Sequence, residues 1–168
     1  MFKFIKTITT TVSHVATCSK VSVEVSNALK GLGKGEMPAF SPNGKYSVDL
    51  LYHPVPDIDA IAIGDFNNTE IGGGRTNIIL ITKEIVKCPT LLNAVLLHEE
   101  GHLELDAFPD KGLTDIEAEI MADTYAFEKG GDKAALALLG FLNLLYMNNH
   151  NIITTIARID SLKAHLGM

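Results

Sequence analysis

Two histidines and a glutamate within five residues form the clearest chemical pattern in this chain. The segment is His98-Glu99-Glu100-Gly101-His102, which has the form H-E-x-x-H. On a helix, residues four positions apart share one face at a spacing of roughly 6 Å, so two imidazoles can bind one ion. Zinc bound there lowers the pKa of a coordinated water towards about 7, and Glu99 would accept the proton of that water. The pattern predicts a zinc hydrolase.

An apolar run before the motif predicts the helix that carries it. Residues 88–97 contain a helix start, with Pro89 at the boundary and Thr90 as N-cap. Both histidines then lie on the face that carries Leu91 and Val95, which turns towards the protein interior. The alternative is a helix with two hydrogen-bonded core histidines. Imidazoles and acids on an apolar face are costly without a cation, which favours the metal site.

A catalytic zinc site needs a third protein ligand, and two glutamates downstream compete for that role. Glu117 follows Thr114 by three positions, in the S/T-x-x-E form of a capping box, which gives Glu117 a structural function at a helix N-terminus. Glu119 has no such function, and Asp123 lies one turn later on the same helix face. We therefore expect Glu119 to be the third ligand, with Asp123 accepting a hydrogen bond from a ligating histidine.

In these motifs the chain resembles the gluzincin metallopeptidases, in particular the catalytic domain of the HtpX and CAAX-prenyl protease type, and more distantly the ImmA-type proteases. The likeness extends over roughly residues 45–130. Residues 59–64 resemble the family's N-A-F-A-x-G strand, residues 77–82 resemble the edge strand that follows it, and the metal motifs complete the likeness. The resemblance implies a zincin-like fold and a Zn2+ cofactor.

The resemblance also implies a role for each residue of the site. It gives the zinc ligands as His98, His102 and Glu119. Glu99 would be the general base, and Asp123 would support the ligands from outside the metal shell.

A polypeptide substrate is implied in the same way. In proteases of this kind an edge strand beside the active helix pairs with the extended substrate. The corresponding residues here are Asn77, Ile78, Ile79 and Leu80. The alternative is an ordinary paired strand with no free edge.

The chain departs from the family pattern at several positions. Asp59 replaces the usual asparagine, and the transmembrane helices of the best-known members are missing. The Arg-Ile-x-x-Leu helix of the family has a counterpart that begins at Arg158, whereas His150 is followed by Asn151 in place of proline. His150 and Arg158 are further candidates for assisting the transition state. The alternative for His150 is a solvated residue in a turn.

Composition restricts the class of protein and its partners. The 168 residues contain no linker or repeat, which predicts one domain over residues 1–168. The formal net charge of −6 argues against a nucleic-acid partner, because phosphate binding needs a basic face. Two cysteines, Cys18 and Cys88, form no disulfide framework and favour a reducing compartment, so we expect a cytoplasmic protein.

Hydrophobic patterns around the motifs predict the remaining elements and an α+β fold, with a small sheet covered by helices. On the N-terminal side they predict an amphipathic helix at residues 4–30 and strands at residues 46–52, 59–64 and 77–82. On the C-terminal side they predict a helix break at Gly130-Gly131, a buried helix at residues 134–147 and an amphipathic helix at residues 152–166.

Membrane contact is predicted to be peripheral at most. The apolar helix at residues 134–147 is shorter than the roughly 20 residues that span a bilayer. Lys3 and Lys6 beside Phe2 and Phe4 could touch a membrane surface, and the alternative is an N-terminal helix packed on the domain.

The residues together predict a zinc-dependent endopeptidase with Glu99 as general base. Two other functions remain open at this stage. The first is a catalytically idle protein of the same fold that acts in protein interaction, although a site kept for structure alone needs no base. The second is a zinc hydrolase that acts on a non-peptide bond.

Overall fold

The computed structural model describes residues 36–51, 60–63, 77–148 and 151–168. These residues form three strands: β1 (Ser47–Leu50), β2 (Ala60–Ile63) and β3 (Ile78–Ile81). The helices are α1 (Lys83–Val86), α2 (Pro89–Glu104), α3 (Asp115–Met147) and α4 (Ile152–His165), with a 3₁₀ turn at Pro109–Lys111. The predicted α+β class, with a small sheet and helices packed on it, is confirmed.

The sheet is mixed, and β3 lies at its centre. β3 pairs in parallel with β1 and antiparallel with β2. The prediction that Asn77, Ile78, Ile79 and Leu80 form an edge strand for a substrate is therefore wrong. Both hydrogen-bonding edges of β3 are occupied by neighbouring strands, so its backbone cannot accept a further strand.

The free edge of the sheet nearest the motif helix belongs to β2. Within the described part of the chain, β2 pairs with β3 alone. β2 also packs against α2, the helix that carries the H-E-x-x-H motif. The prediction failed because the order of the strands in the sheet differs from their order in the sequence. β3 pairs in parallel with β1 and therefore lies between β1 and β2.

Helix α2 is the central element of the core. It packs against α3 on one side and against β2 and β3 on another. Every residue from Leu91 to His102 except Asn93 is buried. The helix begins at Pro89 with Cys88 as N-cap, so the predicted N-cap Thr90 is wrong. Proline suits the first helical position, where its missing N–H has no partner to lose.

Helix α4 is amphipathic as predicted, but it buries only part of its apolar residues. Thr155, Ile159 and Leu162 are buried. Ile152 and Ile156 are 41% and 42% exposed, and the equally apolar Ile153 is 75% exposed. The buried face contains the polar Thr155 because α4 also brings Arg158 towards the motif helices, as described below.

Several predictions lie outside the described residues: the N-terminal helix at residues 4–30, Cys18, Asp59 and His150. In the described part of the chain, no helix has the length and apolarity needed to cross a membrane.

Gly131 interrupts α3, as the Gly130-Gly131 pair predicted. Its backbone angles are φ 63° and ψ −160°, inside a helix that is otherwise continuous from Asp115 to Met147. This region of backbone space is open almost only to glycine, because a Cβ would clash with the backbone.

We predict that Gly131→Ala lowers the free energy of unfolding by about 1–3 kcal/mol, the usual cost of such a backbone conformation for other residues. Urea denaturation at an unchanged m-value measures the loss. The control is Lys133→Ala, at an exposed position just after the break, which should change stability by less than about 0.5 kcal/mol. Equal stability of Gly131→Ala and Lys133→Ala would contradict the expectation.

Candidate metal centre

His98, His102 and Glu119 converge on one point between α2 and α3. Suitable ligand atoms of the three side chains all lie within 4.8 Å of one another. The two histidine Nε2 atoms are 3.2 Å apart. Glu119 Oε2 is 3.4 Å from the Nε2 of His98, and Glu119 Oε1 is 3.6 Å from the Nε2 of His102.

These separations fit the ligands of a single ion. Metal–ligand bonds of about 2.0–2.1 Å at tetrahedral angles place ligand atoms roughly 3.3–3.4 Å apart. Two imidazole nitrogens and a carboxylate oxygen form a donor set that suits zinc and leaves one coordination position open. The buried group of His98, His102 and Glu119 could therefore hold a metal ion.

The outer ring nitrogen of each histidine has an acceptor that fixes the ring. His98 Nδ1 lies 2.8 Å from Asp123 Oδ1. His102 Nδ1 lies 2.7 Å from the carbonyl oxygen of Ala107. A carbonyl and an ionised carboxylate can only accept, so both Nδ1 atoms carry a proton and both Nε2 atoms face the candidate site. The geometry agrees with the place predicted for Asp123. The Ala107 carbonyl was not predicted, because a backbone acceptor has no sequence signal.

Arg158 forms ion pairs with two acidic residues of α3, Asp123 and Glu119. Its Nε and Nη2 donate to Asp123 Oδ2 and Oδ1, at 2.8 and 2.9 Å. Its Nη1 forms an ion pair with Glu119 Oε2. Arg158 was predicted as a candidate for the transition state, and it does line the cleft. Its guanidinium is nevertheless directed at two carboxylates, and its partner Asp123 is fully buried.

Burial and the Arg158 charge act in opposite directions on these acids. Burial raises the pKa of Glu119 and of Asp123, but the positive charge of Arg158, together with the hydrogen bonds and charge of the neighbouring histidines, outweighs burial and holds both pKa values below their usual range. Both carboxylates are therefore ionised at neutral pH, the state in which a carboxylate binds a metal or accepts from an imidazole.

The pKa of His98 is shifted in the opposite direction from those of the two carboxyl groups. Burial and the Arg158 charge lower the pKa of His98, but the charge and hydrogen bond of Asp123 and the hydrogen bond of Glu119 raise it further, to about 10. The carboxylates that favour a proton on His98 equally favour a metal cation at its Nε2.

Glu99 lies beside the ligands in a cleft of about 500 Å³. Its side chain is buried, and burial raises its pKa against the opposing effect of His98 and His102. One wall of the cleft comes from β2, and apolar side chains of α2 and α3 form another: Val95, Leu138, Phe141 and Leu145. A carboxyl group with a raised pKa at such a place is suited to proton transfer.

Glu117 lies at the start of α3 and makes the predicted capping box. Its backbone N–H donates to Thr114 Oγ1 at 3.2 Å, and its Oε2 accepts from the Thr114 backbone N–H at 2.8 Å. The competition between the two glutamates is thus resolved by geometry: Glu117 caps the helix and Glu119 faces the histidines.

Comparisons of the chain with models of known protein families, with curated proteins and with solved structures found no match. Function is therefore inferred from the chemistry of this site.

We predict that Glu119→Ala abolishes tight zinc binding, whereas Glu117→Ala retains about one zinc per chain. The reason is that only Glu119 contributes a ligand atom to the group. Zinc content after dialysis against a weak chelator measures the difference. Retention of zinc by Glu119→Ala together with its loss in Glu117→Ala would contradict the ligand assignment.

A second prediction separates the two functions of Asp123. Asp123→Ala should weaken zinc binding by about 10–100-fold, because His98 loses its orienting acceptor. It should also destabilise the fold, by less than the roughly 3–5 kcal/mol that a fully unpaired buried charge costs, because it removes one of the two carboxylate partners of Arg158 and leaves Glu119.

The double variant Asp123→Ala/Arg158→Met removes the buried ion pair between these two residues and keeps Glu119 beside the two histidines, so it is measured with zinc bound. We expect it to recover much of the stability measured by urea denaturation, while zinc affinity stays low. Recovery of wild-type zinc affinity in the double variant would show that Asp123 does not act by orienting His98.

Proposed function

We propose that this protein is a zinc-dependent endopeptidase of the gluzincin type with a zincin-like fold. The observation that carries the proposal is the convergence of His98, His102 and Glu119 at tetrahedral ligand spacing, with Glu99 beside them in an open cleft. The resemblance of the sequence motifs to that family supports the same conclusion, because the ligand set was expected from it.

Zinc, when bound, supplies a Lewis acid that lowers the pKa of a coordinated water and polarises a carbonyl group. Glu99 accepts the proton from the attacking water and returns it to the leaving amine. Its raised pKa suits the first step in particular, because a more acidic carboxyl group would be a weaker base towards the water and would hold the proton too weakly to carry it to the amine.

The chain keeps the rest of the site in place during this exchange. Asp123 and the Ala107 carbonyl fix the two imidazole rings. Arg158 holds Asp123 and Glu119 in their ionised forms. These contacts are already formed in the structure, which supports a preorganised site.

The substrate proposed is a polypeptide that extends along β2. The outer edge of β2 has no strand partner in the described part of the chain, and Ala60, Ile61 and Ala62 line the cleft that contains Glu99. An extended peptide can add to such an edge through main-chain hydrogen bonds. This assigns to β2 the substrate role that was first expected of β3.

The rival functions are less well supported by these observations. A catalytically idle protein would have no use for Glu99, a buried carboxyl group that is costly to keep. A hydrolase of a non-peptide bond would have no use for a free strand edge beside the metal ligands.

We predict that Glu99→Gln keeps zinc and the fold but loses peptidase activity by at least about 100-fold, because an amide cannot accept the proton of the water. The control is Glu104→Gln, at the end of the same helix, where the carboxylate binds Lys45 and Tyr46 away from the cleft. Activity is measured by mass spectrometry of a complex peptide mixture after incubation with each zinc-loaded variant.

New peptide termini should appear with wild type and Glu104→Gln but not with Glu99→Gln. Equal cleavage by wild type and Glu99→Gln would contradict the mechanism. Absence of cleavage by zinc-loaded wild type across the mixture would favour one of the rival functions.

A further inference from the structure

Glu100, inside the H-E-x-x-H motif, has no part in the proposed chemistry, yet its side chain is buried. It is 1% exposed. Two residues beyond His98 on a helix, it is rotated by roughly 200° from the metal-facing side. A buried carboxyl group is costly unless its oxygens are hydrogen-bonded, so its partners indicate why it is there.

The partners of Glu100 come from two other parts of the fold. Its Oε1 accepts from the hydroxyl of Tyr125 at 2.7 Å. Its Oε2 accepts from the backbone N–H of Asn43 at 2.9 Å. Tyr125 lies on α3, two residues after Asp123, so the first hydrogen bond joins the two helices that carry the ligands.

Gly101 marks the closest approach of the same two helices. A Cβ added there would lie 3.0 Å from the Cα of Ala122 and 3.0 Å from the Cβ of Tyr125. One of the two helices would have to shift by a few tenths of an ångström to make room for the added Cβ. Ala122 lies between Glu119 and Asp123 in the sequence, so this contact is next to the residues of α3 that serve the metal centre.

We propose that Gly101 and the hydrogen bond between Glu100 and Tyr125 set the spacing and rotation of α2 against α3 and thereby position the metal ligands. The inference rests on the proposed function of the metal centre. Two ligands come from α2 and one from α3, so their separation depends on how the helices meet. Metal–ligand distances tolerate only about ±0.2 Å, which is no larger than the shift that a Cβ at Gly101 would cause.

A simpler role for Glu100 would be to dock the turn that contains Asn43. Glu104, one helical turn later, serves as the control for that role. It accepts from the Nζ of Lys45, the hydroxyl of Tyr46 and the Nδ2 of Asn43. Glu104 thus binds the same segment, residues 43–46. Within the described part of the chain, its side-chain hydrogen bonds all go to that segment.

The test compares Gly101→Ala, Tyr125→Phe and Glu104→Gln in the full chain. Zinc affinity is measured by chelator competition, and the site geometry by the visible absorption of the Co2+-loaded protein. We expect Gly101→Ala and Tyr125→Phe to lose about tenfold or more in zinc affinity, as loss of supporting residues does at other sites. Both should alter the Co2+ spectrum, and Glu104→Gln should match wild type in both measurements.

A core variant separates positioning from general stability. Leu142 is fully buried in α3 and lies outside the cleft lining. Leu142→Ala should lower the unfolding temperature while zinc affinity and the Co2+ spectrum remain those of wild type. If Leu142→Ala weakened zinc binding as much as Tyr125→Phe does, the positioning role would be overturned.

The remaining outcomes are also decisive. Wild-type zinc affinity and an unchanged Co2+ spectrum in Tyr125→Phe would overturn the inference and leave the proposed function intact. Failure of wild type to bind zinc would overturn both. If Gly101→Ala does not fold, Tyr125→Phe decides alone, because it removes one hydroxyl and keeps the aromatic ring.

Discussion

The ion pairs of Arg158 with Asp123 and Glu119 are the interaction on which the candidate site depends. Two ionised carboxylates beside a buried helix would be strongly unfavourable without a compensating charge. Arg158 supplies that charge from α4, and its hydrogen bonds occupy both oxygens of Asp123. Helix α4 thus contributes a charge as well as the buried apolar residues Ile159 and Leu162 to the interior. Helices α2, α3 and α4 thus meet at this cluster of charged side chains.

The chemistry of the cleft follows from this arrangement. Because Asp123 is held ionised, it can fix the ring of His98 and direct the Nε2 lone pair at the same point as that of His102. Burial raises the pKa of Glu99 as well, but there the positive charges of His98, His102 and Arg158 do not outweigh it, so the pKa stays raised. The site therefore contains two kinds of carboxyl group. Glu119 and Asp123 have lowered pKa values, which suit binding, and Glu99 has a raised pKa, which suits proton transfer. β2, which pairs only with β3 among the described strands, lines the cleft that contains Glu99.

Local patterns and the grouping of His98, His102 and Glu119 were predicted from the sequence, whereas strand order and the partners of Arg158 were not. The capping box of Thr114 and Glu117 and the helix break at Gly131 depend on neighbouring residues, so both could be identified directly. Strand order depends on contacts between distant segments, and the central position of β3 was missed for that reason. Arg158 was identified as a candidate, but its carboxylate partners lie 35 residues or more earlier in the chain, and spacing alone could not pair them.

X-ray absorption at the zinc K edge tests the central claim most directly, because it reports the ligands of the ion without requiring a substrate. For zinc-loaded wild type we expect only nitrogen and oxygen neighbours at about 2.0–2.2 Å, with the outer-shell scattering of two imidazole rings. A sulfur neighbour at about 2.3 Å, the distance typical of a thiolate, would contradict the assignment of His98, His102 and Glu119 as the metal-binding group. A spectrum without imidazole scattering would contradict it equally.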